Sequence, residues 1–248
     1  MFLSMIAAYL CGNVYIFVRA LQTLSAWSWV WKVLFSLGYW AAALALALSI
    51  FVLRHVEMPE SLSQGLFTIG SVWLVFTLYM VLALLATDLA RLFIPAIKPY
   101  GFSISLGVIV CLLTYGYFNY KHPDINHLDI TIDKPLSGEP IKVVAISDVH
   151  LGNGTRKAQL KQFVEMINAQ YPDLIIIGGA LIDNSLIPLY QQKMAEELNL
   201  LKAPMGIYMA PGNHEYISGL EACEAFLKNT PIHLLRDSLV TLPNGLQI

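Results

Sequence analysis

The sequence predicts a bundle of four membrane-spanning helices followed by an α/β domain, and three observations carry that prediction. The 248 residues are 56% hydrophobic and 13% charged, about half the charged share of an ordinary soluble domain, so most apolar side chains face something other than water. The charges are unevenly divided: residues 1–120 hold five Lys/Arg and three Asp/Glu, residues 121–248 ten and fourteen. Three charge-free runs, of 21 residues after Lys32, 27 after Glu60 and 22 after Lys98, each exceed the ~20 residues that cross ~30 Å of hydrocarbon. We therefore divide the chain into a transmembrane domain over 1–120 and an α/β domain over 121–248.

The first helix is expected at about 2–20, where only Asn13 is strongly polar. It lacks the basic flank of a cleaved signal peptide and is followed by a longer apolar run. The others are expected at 29–53, 64–87 and 100–119. Trp27, Trp29, Trp31, Trp40 and Tyr100 fall mostly near helix ends, where amphipathic rings favour the headgroup layer. Asp88 and Arg91, three apart, share a helix face and are expected to neutralise each other. Gly38, Gly65, Gly70 and Gly107 read as helix-packing positions. Arg19, Lys32, Arg91 and Lys98 on the odd-numbered loops outnumber the basic residues opposite them, which leans both termini, and the α/β domain with them, to outside the cytoplasm.

In the second part, Leu128, Ile130 and Ile132 alternate with Asp129, Thr131 and Asp133, the period of a half-buried strand. Val143–Ile146, Leu174–Ile177 and Gly206–Ala210 are short apolar runs, with helical spacing at Leu160, Phe163, Val164 and Ile167 between the first two. Strand-helix-strand alternation argues a layered α/β domain, whose ligands gather at the carboxyl ends of its strands. Formal charges of +2 on the first part and −4 on the second supply no basic stripe, which excludes nucleic acid as a partner. Cys11, Cys111 and Cys223 form neither a disulfide framework nor a C-x-x-C site and are expected to be small buried hydrophobes.

Each of the three runs opens into a glycine-containing loop. In Ser147-Asp148-Val149-His150-Leu151-Gly152, a carboxylate and an imidazole two apart can turn towards one metal ion. Pro211-Gly212-Asn213-His214-Glu215 offers an amide oxygen for a metal beside an imidazole able to move protons near neutral pH. The loop between them is Gly178-Gly179-Ala180-Leu181-Ile182-Asp183.

Together these loops resemble the calcineurin-like metallophosphoesterases, in particular bacterial members with an N-terminal membrane anchor. Blocks similar to D-x-H, G-D-x-x-D and G-N-H-[D/E] follow in order from about Lys142 to Glu215. The resemblance implies an αββα sandwich around two divalent metal ions (Mn, Fe or Zn). Those ions would activate a hydroxide against a phosphomonoester, phosphodiester or diphosphate. By the same resemblance Asp148 and His150 bind one metal, Asn213 the other, and His214 stabilises the phosphoryl group or protonates the leaving oxygen. His55, His122, His127 and His233 lie outside the blocks and read as interfacial or surface residues.

The sequence departs from the family at two points. Ala180 stands where the family carries the aspartate that bridges the two metals, and Asp183 keeps the second acid position as a supporting residue. Nothing after His214 matches the family's later histidine and G-H-x-H loop, and Gly245–Ile248 reads as a strand begun after a turn at Pro243-Asn244-Gly245. The expectation is a domain only partly contained in this chain, binding metal weakly and hydrolysing phosphoesters poorly or not at all. The alternative is a non-catalytic membrane binding or scaffold protein derived from such an enzyme. Expected partners are the bilayer and a phosphate-ester substrate, with a membrane lipid favoured by the anchoring; the expected location is the inner or plasma membrane of a bacterial cell, crossed several times.

Overall fold

The computed structural model describes residues 2–51, 58–131 and 140–248. The chain forms two compact units, Met1–Leu53 with Gly65–Asp129, and Arg54–Gln64 with Ile130–Ile248.

The first unit is built on α1 (Phe2–Thr23), α2 (Trp29–Phe51), α3 (Glu60–Phe93) from Gly65 onward, and α4 (Gly101–Lys121), each helix long and apolar enough to cross a membrane. The expected end of the second helix at 52–53, and His55, lie outside the described residues. The largest departure is α3, which has 34 residues against the 24 implied by 64–87, and so measures ~51 Å. It continues past Asp88 because that carboxylate is neutralised within the bundle: Arg19 Nη1 lies 2.5 Å from Oδ1 and the Tyr15 hydroxyl donates to Oδ2 at 2.5 Å. The expected Arg91 contact is present at 3.3 Å, but Arg19 is the closer partner, from a helix that i,i+3 reasoning does not reach.

Ile16, Tyr39, Met80, Leu84 and Ile109 form the apolar centre of the bundle. Beside them Asn13 is fully buried. Its Oδ1 accepts from Trp73 Nε1 at 2.9 Å, Tyr39 OH at 3.2 Å and Thr77 Oγ1 at 3.4 Å, while its Nδ2 donates to the Tyr9 carbonyl at 2.9 Å. Of the four glycines expected to pack helices, Gly70 does so, since a Cβ there would sit 2.3 Å from Leu46 N, whereas Gly38, Gly65 and Gly107 face open space. Cys11 and Cys111 are likewise exposed rather than buried, because they fall on outward helix faces; Cys223 is buried.

The second unit carries β1 (Val143–Ile146), β2 (Leu174–Ile177), β3 (Ile207–Met209) and β4 (Ile232–Leu234), all parallel in the order β1-β2-β3-β4. Its helices are α5 (Lys157–Asn168), α6 (Ile187–Gln191), α7 (Met194–Leu198), α8 (Asn213–Ser218) and α9 (Leu220–Leu227). The first three strands lie in the three apolar runs. The strand expected from His127 is not seen over 127–131, where no described strand pairs with it and Leu128 and Ile130 are exposed; its remainder lies outside the described residues. Alternation supplied a face but no ladder partner.

Strand register puts alternate residues on one face: Val144, Ile146, Ile175, Ile177, Ile207, Met209, Ile232 and Leu234 join Leu160, Val164 and Ile167 of α5 and Phe226 of α9 in one core. On the opposite face Val143, Ala145, Ile176, Tyr208 and His233 retain exposure, while Leu174 is buried. The described residues thus make one sheet with helices against one face, and the second sheet of the expected sandwich is not among them. The turn expected at Pro243–Gly245 closes an antiparallel hairpin, with Val240 and Ile248 exchanging both backbone hydrogen bonds.

Candidate metal centre

The first two loops extend the β1/β2 pairing beyond the sheet. Asp148 N donates to Gly179 O at 3.1 Å, His150 N to Ala180 O at 2.9 Å, Leu151 N to Leu181 O at 2.7 Å, and Asp183 N returns to Leu151 O at 3.0 Å. Within this irregular ladder Asp148, His150 and Ala180 have φ of 55°, 51° and 49°, a left-handed conformation that non-glycine residues seldom adopt and that re-aims each side chain. Buried Leu151, Leu181 and Ile182 anchor the ladder in the core beneath.

The third loop is tied to the second by one carboxylate. Glu215 is fully buried. Its Oε2 accepts from Ala180 N at 3.0 Å and Gly212 N at 2.8 Å, and its Oε1 from Ile182 N at 2.9 Å. The Gly212 bond closes back over the first turn of α8, half of a capping box. Gly179 and Gly212 touch so closely that a Cβ on either would lie 2.7 Å or 2.6 Å from backbone nitrogen of the facing loop; only glycine lets the two loops meet.

This scaffold gathers His150, Asp183 and His214, the group of metal-binding side chains found among the described residues, with one ligand atom from each within 4.8 Å of the others. Asp183 Oδ1 lies 3.5 Å from His150 Nδ1 and 3.2 Å from His214 Nδ1, and the imidazoles meet edge to face at 4.3 Å. His214 Nδ1 is buried and lacks an aligned hydrogen-bond partner, so it meets Asp183 by proximity alone. Asn184 Nδ2 holds Asp183 Oδ1 at 2.9 Å, and Ser218 Oγ donates to the Asp183 carbonyl.

The structure brings the three loops together and places the expected side chains unevenly among them. Asp148 is 72% exposed, with Oδ1 3.8 Å from His150 Nε2, so it faces the outer edge of the imidazole. Asn213 is exposed at the start of α8, and Ala180 is buried. Asp183, expected as a support, is the residue both histidines face. The buried Glu215 was missed as well; the acidic last position of G-N-H-[D/E] was its only trace in the sequence. The methyl of Ala180 supplies no acid that two ions could share, so the side chains gathered here do not fit the expected two-metal centre.

Comparison with known proteins places residues of this second unit beside one family. Residues 141–245 match the family described as calcineurin-like phosphoesterase, whose members use divalent metals. An uncharacterized metallophosphoesterase of Campylobacter jejuni is 28% identical over 90% of this chain and 61% of its own length. A transmembrane protein with metallophosphoesterase domain from Danio rerio is 31% identical over 54% of this chain and 31% of its own. The UDP-2,3-diacylglucosamine pyrophosphatase of Chlamydia muridarum is 30% identical over 47% of this chain and 37% of its own. The chain thus spans less than two thirds of the length of these relatives. No solved structure gives a significant match. Four membrane-capable helices, with transmembrane relatives, assign the chain to a membrane.

Proposed function

Because residues 141–245 are a calcineurin-like phosphoesterase domain, we propose that this chain belongs to a membrane-anchored, metal-dependent hydrolase of phosphoester or diphosphate bonds whose activity is impaired here by Ala180. The observation that carries the reading is the convergence of His150, Asp183 and His214 at the carboxyl ends of β1, β2 and β3. Asp148 and His150 would contribute to one divalent ion (Mn, Fe or Zn) and Asn213 to a second once an acid at 180 joins them. His214, with Asp183 behind its Nδ1, would contact the phosphoryl group or return a proton to the leaving oxygen. Without that acid the two-ion centre is incomplete, so hydrolysis should be slow or absent.

Anchoring next to headgroups favours a lipid-linked substrate, and the Chlamydia relative's name specifies a pyrophosphatase acting on UDP-2,3-diacylglucosamine. The domain boundary at 120, the bacterial inner membrane and the lean of the domain away from the cytoplasm complete the proposal. The test is Mn²⁺-dependent hydrolysis of p-nitrophenyl phosphate, bis(p-nitrophenyl) phosphate and a lipid diphosphate in mixed micelles. It compares Ala180→Asp with the parent, both in this chain and in one prolonged by the C-terminal part of the Campylobacter relative. A gain of at least tenfold on one substrate is expected. A folded, metal-loaded Ala180→Asp protein equal to the parent on all three would favour the non-catalytic binding role instead.

A further inference from the structure

Between the end of α1 and the first half of α2 runs a groove of about 730 Å³, whose lining includes Leu21, Lys32, Leu37, Trp40, Ala41 and Leu44. That volume lies within the range of small-ligand sites. We propose that the groove holds one anionic phospholipid, its phosphate on the Lys32 ammonium and one acyl chain laid along α2 as far as Leu44. The proposal goes beyond the phosphoesterase reading and does not rest on it: the lipid is a resident ligand of the helix pair, not a substrate.

Charge, depth and length each select such a molecule. Apart from Lys32 and Ser36 the lining is apolar, and the Ser36 hydroxyl is engaged by the Lys32 carbonyl at 2.7 Å. An ammonium has three N–H donors. Lys32 gives one to the Ser25 carbonyl at 2.9 Å, and because no Asp or Glu precedes Glu57 in the sequence, neither α1 nor α2 brings a carboxylate to the others. At the same end of the bundle stand Arg19, Arg91 and Lys98 and a single acid, Asp88, which both arginines share. Four cations and one carboxylate leave that end at a net +3, a sign that draws an anionic headgroup and gives nothing to a zwitterionic one. The exposed rings of Trp27, Trp29 and Trp31 set Lys32 at headgroup depth. From Lys32 to Leu44 the helix rises ~18 Å, close to the ~15 Å of hydrocarbon in one leaflet, so a chain anchored by its phosphate at Lys32 ends near Leu44. Leu37 and Leu44 are exposed, so the groove opens outward and the chain enters it from the bilayer.

The full chain, purified in detergent and freed of lipid, is titrated with dioleoyl phosphatidylglycerol or dioleoyl phosphatidylcholine, and bound lipids are counted by native mass spectrometry. The first phosphatidylglycerol is expected to bind about fivefold more tightly than phosphatidylcholine, the size of one lysine's attraction at a membrane surface. Lys32→Gln should abolish that preference, while Lys98→Gln, which removes a cation from the same end of the bundle but outside the groove, should keep it within twofold. Ala41→Trp fills the middle of the groove and should weaken both lipids at least threefold; circular dichroism checks that each variant folds. The proposal is overturned if the parent binds the two lipids equally, if Lys32→Gln keeps the preference, if Lys98→Gln loses it as fully as Lys32→Gln, or if folded Ala41→Trp binds both as the parent does. Hydrolysis plays no part in this readout, so the two proposals fail independently.

Discussion

Glu215→Gln should loosen the junction of the second and third loops while leaving the sheet intact. In the parent, one carboxylate receives three backbone N–H groups at 3.0, 2.9 and 2.8 Å. A hydrogen bond to a charged group contributes ~1.5–3 kcal/mol, and a buried donor left unpaired costs ~1–3 kcal/mol. Glutamine keeps the shape and one acceptor oxygen. If that oxygen takes the Oε2 position, the bonds to Ala180 and Gly212 survive in weaker, neutral form, and the NH₂ is turned against the Ile182 N–H. One bond is lost and two are weakened, for a total of about 3 kcal/mol. Local opening then becomes about a hundredfold more frequent, at ~1.4 kcal/mol per decade. Hydrogen exchange of the full chain in detergent, resolved to peptides over 178–183, reads this directly against the 174–177 strand peptide as a reference. Exchange at 178–183 within twofold of the parent would refute the role given to Glu215. Equal acceleration of the strand peptide would show that the carboxylate supports the whole domain rather than the loop junction.

Two further outcomes follow from burial. Burial, and next the charge of Glu215, push the Cys223 thiol up to about 11, so the folded chain should resist iodoacetamide at Cys223 at pH 8 and react in urea. Since the folded value lies above the unfolded one, the associated stability is fully present below pH ~9 and is lost as pH rises towards about 11. In the membrane unit, Asn13→Leu strips the acceptor from Trp73 Nε1, whereas Tyr39 and Thr77 keep their shorter bonds to the Asn13 and Trp73 carbonyls. At ~0.6 kcal/mol for an average interhelical bond and ~1.7 for the strongest, bundle stability falls by about 1 kcal/mol, seen as an earlier midpoint in SDS-induced unfolding; an unchanged midpoint would contradict the network.

The strands β1, β2 and β3 were legible because each is a short apolar run that leads into a glycine-containing loop. The strand β4 was not, since Ile232-His233-Leu234 is three residues long with an exposed histidine at its centre. The membrane helices were legible from charge-free length, but the end of α3 was not: charge marks a helix end only when unpaired, and Arg19 pairs Asp88 from 69 residues away. At the strand ends, sequence spacing placed His150 and His214 near one another, because a motif fixes which residues leave a strand together. It did not deliver the directions of their neighbours. The left-handed backbone at Asp148, His150 and Ala180 turns the Asp148 carboxylate to the rim and leaves Asp183 between the rings. Glu215 stayed hidden because three backbone amides from two loops must fold together before its role exists.

The contacts along α1 also set which changes in chain length this protein can absorb. Asn13 engages Trp73 and Thr77, and Arg19 engages Asp88, all on α3. One residue inserted or deleted between positions 13 and 19 turns the helix by ~100° from one anchor to the other, so both partners cannot be met at once. Residues 24–28, between α1 and α2, carry no such paired constraint on α3. Across descendants of this gene, length variation should therefore collect in that connection and be purged from the six-residue interval, even where the individual amino acids drift freely.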